Sequence, residues 1–155
     1  MLVEQEEDAT VEERKLEPDA AKRTPDMSLR LELFVQDMDA TIDFYSRVLG
    51  FDLVRKDPGD YASLRCGRVL FGIGPVSKLP EKGGYFARGI SDLRRGLGVE
   101  IVLEVDDVVG WRDRVLASGY PILEPLQERP WGLTDFRIAD PDGYYLRLTS
   151  RAPGI

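Results

Sequence analysis

The chain has 155 residues, 43% of them hydrophobic, and no histidine. That composition removes Ser-His-Asp and Cys-His catalysis, the commonest general base, and the imidazole ligand of most catalytic zinc, iron and nickel sites. A formal charge of -7, with no basic run interleaved with aromatics, argues against nucleic acid as a partner.

No stretch approaches the roughly 18 consecutive apolar residues of a membrane span, and the acidic N-terminus lacks the basic-then-apolar order of a signal peptide. A cytoplasmic protein that stays off membranes is the expectation, and the single cysteine, Cys66, agrees with a reducing compartment. Lacking a histidine partner, Cys66 reads as a small packed strand residue. The length allows one ordinary core, or two small modules that share a sheet.

Residues 1–27 are an acidic tail. Nine acids and four bases fall within residues 1–26, so the tail carries most of the net charge and the body is close to neutral. Its composition cannot bury enough apolar surface to offset ordering entropy, which predicts disorder or a marginal helix.

Residues 28–74 then hold five predicted elements. LRLELFV (29–35) alternates as a half-buried strand, with Leu31, Leu33 and Val35 on one face and Arg30, Glu32 and Phe34 on the other. Asp37 or Asp39 can cap a helix that buries Ile42, Tyr45, Val48 and Leu49 and stops at Gly50. FDLVRKD, YASLRC and VLFGIG follow as short strands, separated by Asp57-Pro58-Gly59-Asp60 and Gly67-Arg68 turns. The connector, residues 75–98, has two short-range anchors in Tyr85 and Phe86, a candidate short helix at SDLRR, and enough length to border a site. Its Gly83-Gly84 lacks the context of a phosphate-binding loop.

Residues 99–150 repeat the pattern at an offset of 70. VEIVLEVDD (99–107) overlays LRLELFVQD (29–37), placing Glu100, Val102 and Glu104 on the face of Arg30, Glu32 and Phe34. A helix from Asp107 to Ser118 buries Val108, Trp111 and Val115, and Gly119-Tyr120 answers Gly50-Phe51. PILEPL, TDFRIAD and YYLRLT complete a second βαβββ order before the tail at 151–155. Tyr145, Arg147 and Thr149 share one face of the last strand.

Three stretches, DMDATIDFYSRVLGF (37–51), DDVVGWRDRVLASGY (106–120) and DPDGYYLRL (140–148), make the chain similar to the vicinal oxygen chelate superfamily, which includes glyoxalase I, extradiol dioxygenases, fosfomycin-resistance enzymes and bleomycin-resistance proteins. The resemblance implies an α+β fold of two tandem βαβββ modules, forming a cupped mixed sheet with helices outside. It also implies four positions where metalloenzymes of that superfamily hold a divalent ion. Those positions carry over here to Arg30, Phe71, Glu100 and Arg147, of which Glu100 alone has a donor atom.

The same resemblance, through Pro130-Trp131-Gly132, Asp135-Phe136 and the DPDG turn, points to bleomycin-resistance-like proteins: homodimers without metal or other cofactor that sequester an antibiotic in a crevice at the subunit interface. The expected ligand-contacting residues are Arg30, Glu32, Phe34, Phe71, Glu100, Glu104, Trp131, Tyr145 and Arg147, with no metal ligand and no catalytic residue among them. Arg30 and Arg147 are expected to flank Glu100 in a charge-assisted network in the metal's place; an arginine left to meet an anionic or carbonyl group of a ligand is the alternative, which does not exclude that pairing. The functional alternative is a metal-free lyase or isomerase with Glu100, Glu32 or Glu104 as base and Arg30 or Arg147 stabilising an oxyanion.

Overall fold

The computed structural model describes residues 27–86 and 95–151. In its first half, strand β1 (Leu31–Val35) leads into helix α1 (Met38–Asp43), which Asp37 caps by accepting the Ala40 N–H at 3.0 Å. The helix runs on as a wider π-type turn over Phe44–Val48, which buries Phe44, Tyr45 and Val48 together. Strands β2 (Asp52–Asp57), β3 (Tyr61–Cys66) and β4 (Val69–Pro75) complete a sheet in the order β1-β4-β3-β2, with β1 and β4 parallel.

The second half repeats this plan. Strand β5 (Glu100–Val105) precedes helix α2 (Val108–Ala117), capped by Asp107 on Gly110 N at 2.8 Å; β6 (Glu124–Glu128), β7 (Thr134–Ala139) and β8 (Tyr145–Ser150) give the order β5-β8-β7-β6. Equal topology in two sheets is what the 70-residue offset requires. β6 begins three residues later than the alternation suggests, and its register breaks between Glu124 and Gln127. Pro125, which has no N–H for the ladder, falls in that gap and keeps β6 at the sheet edge. The SDLRR helix lies largely outside the described residues.

Strands β1, β3, β4, β5, β7 and β8 turn an apolar face into the core, where Leu33, Val35, Ile73, Ile101, Leu103, Leu146 and Leu148 join Phe44, Tyr45, Leu49 and Val115. Phe71 belongs there too. It is 1% exposed and stacks on Phe51 at 5.3 Å, so its expected place on the charged face is corrected. The cause is turn length: β3 and β4 are joined by Gly67-Arg68 alone, whereas β7 and β8 are joined by five residues, Asp140 to Tyr144. Counting from the turn glycines therefore slips by one, and a one-residue slip exchanges the two faces of a strand. Register pairs Leu31 with Phe71 and Glu32 with Gly72, as Ile101 pairs with Leu146 and Val102 with Arg147. Gly72, not Phe71, is the counterpart of Arg147.

Helix ends and one turn join the modules. Arg114 of α2 donates to the Val48 and Arg47 carbonyls at 3.0 and 3.2 Å, covering acceptors that the end of the first helix leaves open. Arg47 reciprocates on the Ser118 carbonyl at 3.3 Å. The approach requires Gly50, where φ is +67° and a Cβ would press on the Arg114 guanidinium. On the other side the Asp140-Gly143 turn sits against α1: Tyr45 donates to Asp140 at 3.0 Å, Gln36 N to Asp142 at 2.9 Å, and Tyr144 to the Phe34 carbonyl at 3.1 Å. Arg95 from the end of the connector pairs with the same Asp142 at 2.9 Å.

Asp140 is 4% exposed. Burial pushes its carboxyl up to about 6, against hydrogen bonds from Tyr144 N, the Tyr45 hydroxyl and Asp142 N that favour the ionised form. Between the ordinary carboxylate value and about 6 the folded state binds more protons than the unfolded chain, so stability falls as pH rises through this window. At about 1.4 kcal/mol per unit, the loss approaches about 3 kcal/mol. Denaturant unfolding of wild type and D140N at about pH 4 and pH 7 should show the wild type losing stability relative to the variant at the higher pH; a pH-independent difference rejects the assignment. R114A, which uncovers the helix carbonyls at a partly exposed site, should lower the unfolding free energy by about 1 kcal/mol in the same assay.

Candidate functional site

The outward face of the second sheet is a polar network. Glu100 on β5 accepts from Arg137 Nε of β7 at 2.9 Å and lies 3.7 Å from Arg147 Nε of β8. Arg137 reaches on to Glu124 at 2.8 Å and Asp135 at 3.4 Å, and Arg129 binds the same two carboxylates at 3.0 and 2.7 Å. Tyr145 donates to Glu124 at 2.9 Å. These bonds, led by those from Tyr145 and Arg129, hold the Glu124 carboxyl below the usual range, while burial and then Glu124 raise the Tyr145 hydroxyl. Register sets Arg137 directly opposite Arg147. Two like charges side by side are tolerable because Glu100, Glu124 and Asp135 surround them. Arg147 Nε and the buried Asp135 Oδ2 make no hydrogen bond among the described residues.

The first sheet carries a smaller cluster. Arg30 Nε meets Glu32 at 2.6 Å, and the Tyr61 hydroxyl donates to the same carboxylate at 3.4 Å. A Cβ on Gly72 would overlap both the Glu32 carboxylate and the Tyr61 hydroxyl, so the glycine is what lets Glu32 lie across β4. Phe34 packs on Phe86 of the connector at 5.3 Å, the anchor expected of that segment, while Tyr85 is 87% exposed.

Arg30 therefore does not flank Glu100. Its carboxylate partner is two residues along its own strand, and among the described residues no hydrogen bond or ion pair links the Arg30, Glu32 and Tyr61 cluster to the Glu100 network. Arg137 takes the place assigned to Arg30. Of the other expected residues, Glu104 is exposed at the end of β5, and Trp131 is 58% exposed in the β6–β7 turn. Arg129, Arg137, Glu124, Tyr61 and Gly72 are additional members. Arg137 shares strand parity with Asp135, which was legible; that it stands beside Arg147 needed the register.

Two concavities meet at Glu100. An open bowl of about 800 Å³ lies over Glu100, Glu124, Arg129, Arg137 and Tyr145. An apolar cleft of about 540 Å³ runs along the starts of β1, β4 and β5, between Leu29, Leu31, Leu70, Val99 and Val102. A molecule with an apolar body and a polar end finds matching surfaces on the two sides of Glu100. The four positions at which metalloenzymes of the resembled superfamily hold an ion are, by register, Arg30, Gly72, Glu100 and Arg147. They present one carboxylate, already paired with Arg137, and two permanent cations, so they do not fit a divalent ion.

A model of the Glyoxalase/Bleomycin resistance protein/Dioxygenase superfamily matches residues 28–148. The chain is 28% identical to a probable lactoylglutathione lyase of Vibrio cholerae over 77% of this chain and 87% of that protein. It is 30% identical to lactoylglutathione lyase GLX1 of Arabidopsis thaliana, over 77% of this chain and 42% of the plant protein. Among solved structures it resembles TioX from Micromonospora sp. ML1, with TM-score 0.65 and 25% identity over 82% of this chain and all of that one. A glyoxalase/bleomycin resistance protein/dioxygenase from Nocardioides has TM-score 0.68 and 21% identity over 84% and 86% of the two chains. With the matched range covering the first module and all but the last two residues of the second, and with their strand order repeated, the chain belongs to the Glyoxalase/Bleomycin resistance protein/Dioxygenase superfamily.

Proposed function

We propose that the chain is a metal-independent small-molecule binding protein of its superfamily, which sequesters an apolar or aromatic ligand such as an antibiotic of the bleomycin or enediyne kind. The observation that carries this reading is the charge-paired state of Glu100: its carboxylate is held by Arg137 and faced by Arg147 at positions where a catalytic ion would need donors. Stoichiometric binding needs neither an ion nor a general base. The apolar cleft beside Glu100 receives the ligand body, and Arg147 Nε, without a hydrogen-bond partner among the described residues, takes a carbonyl or anionic group. Exposed Trp131 and the Phe34–Phe86 pair add flat surface. A second copy of the chain covering the outward sheet faces would complete the crevice, so a homodimer is part of the proposal.

A second reading follows from the relatives named lactoylglutathione lyases, at 28% and 30% identity. It is a metal-free lyase or isomerase with Glu100 or Glu32 as base and Arg147 or Arg30 facing the oxyanion. Against it, an arginine at 2.9 Å stabilises the ionised carboxylate and weakens it as a base.

Thermal unfolding against polycyclic and glycopeptide antibiotics, and separately against divalent metals, separates the readings. Binding predicts stabilisation of about 2.7 kcal/mol at a hundredfold excess of one aromatic compound over its Kd, with the compound recovered unchanged. Metal-dependent stabilisation together with lactoylglutathione turnover defeats the proposal. In wild-type protein without added metal, turnover that E100Q abolishes while keeping ligand affinity would establish the second reading instead.

A further inference from the structure

We propose that the cleft between the β3–β4 turn and helix α2 is a second ligand site, distinct from the sheet faces, for a small apolar or aromatic carboxylate. The two modules are related by pseudo-symmetry, with the same strand order in each sheet. On one side of their junction, the five-residue β7–β8 connection and Tyr120 fill the space beside α1: Asp140 meets Tyr45, Tyr144 reaches the Phe34 carbonyl, and Tyr120 packs on Phe44 at 4.6 Å. The symmetry-related space beside α2 has only Gly67-Arg68 to fill it, because the β3–β4 turn is shorter. At the 70-residue offset, Val115 stands where the first module has Tyr45, and Arg114, where it has Phe44, is drawn away to the helix carbonyls.

A cavity of about 320 Å³ remains, walled by Phe51, Cys66, Val69, Leu103, Trp111 and Leu148. Its volume is that of a small ligand site, and its walls exclude a strongly hydrated molecule. The rim defines the rest of the ligand. Asp106 and Arg151 are paired with each other at 2.8 Å, and Glu104 stands nearby, exposed. Neither Glu104 nor Arg68, also exposed, has a hydrogen bond or ion pair among the described residues, and of these two rim charges Arg68 is the one that can meet an anion. Arg68, Val69 and Leu103 also border the cleft beside Glu100, whereas Cys66 and Trp111 line the second cavity alone of the two. The proposal does not rest on the sequestration reading.

The chain's one cysteine makes the test site-specific. Burial raises the Cys66 thiol, so labelling by the neutral reagent methyl methanethiosulfonate is followed at mildly alkaline pH, with naphthoate as the probe and naphthamide as its uncharged counterpart. Naphthoate at about ten times its Kd should slow labelling by about tenfold and quench Trp111, judged against W131F. R68A, an exposed change whose folding is checked by its melting temperature, should weaken naphthoate by about threefold and leave naphthamide unaltered, whereas E100Q should leave naphthoate protection as it is. Labelling indifferent to naphthoate overturns the site; equal protection by both probes, or a naphthoate Kd unchanged by R68A, overturns the carboxylate; protection lost in E100Q assigns the effect to the cleft beside Glu100 and overturns a separate site.

Discussion

Exchange of caps between the two helix ends is the contact on which this molecule depends. Each module by itself is a four-stranded sheet with one helix, too small to bury both sides of that helix. Arg114 and Arg47 cross the junction to satisfy carbonyls that each helix end leaves without partners. Gly50 makes the approach sterically feasible, and Tyr45 with Asp140 fixes the opposite corner. The two sheets and their helices share one apolar core, and each sheet turns its polar face away from that core. The position of every candidate ligand-binding residue follows from that geometry.

The polar faces have diverged from each other. In the second sheet three arginines and three acids interlock, so that each charge has a partner and the low-dielectric penalty of crowding them is offset. In the first sheet one Arg-Glu pair and a tyrosine lie over a glycine. At the positions that the superfamily's metalloenzymes use for donors, this chain has two arginines, a glycine and one carboxylate, with Arg30 paired to Glu32 and Glu100 to Arg137. Membership in the superfamily is compatible with either outcome, since fold fixes the cradle and side chains fix the chemistry.

Duplication also leaves a volume problem that only one half of the junction solves. A five-residue turn ending in Tyr144, together with Tyr120, fills the space beside α1, while a two-residue turn and a valine leave room beside α2. Buried Asp140 shows what filling costs. It accepts three hydrogen bonds and still carries a raised carboxyl, because desolvation outweighs them.

Period and punctuation in the sequence determined the two βαβββ modules, their capped helices and the outward parity of Arg30, Glu32, Glu100 and Arg147, because helix and strand periodicities are local properties of the chain. Strand register, by contrast, is a relation between segments, and it decided that Gly72 rather than Phe71 is the partner of that face and that Arg137 stands beside Arg147. Turn length carried the decisive difference: a single residue of slip moved Phe71 from the charged face into the core. The separation of Arg30 from Glu100 was likewise a tertiary matter, since both residues have the same parity in equivalent strands. Tertiary packing, which no local pattern encodes, gave Arg30 the carboxylate of Glu32 and gave Glu100 the guanidinium of Arg137.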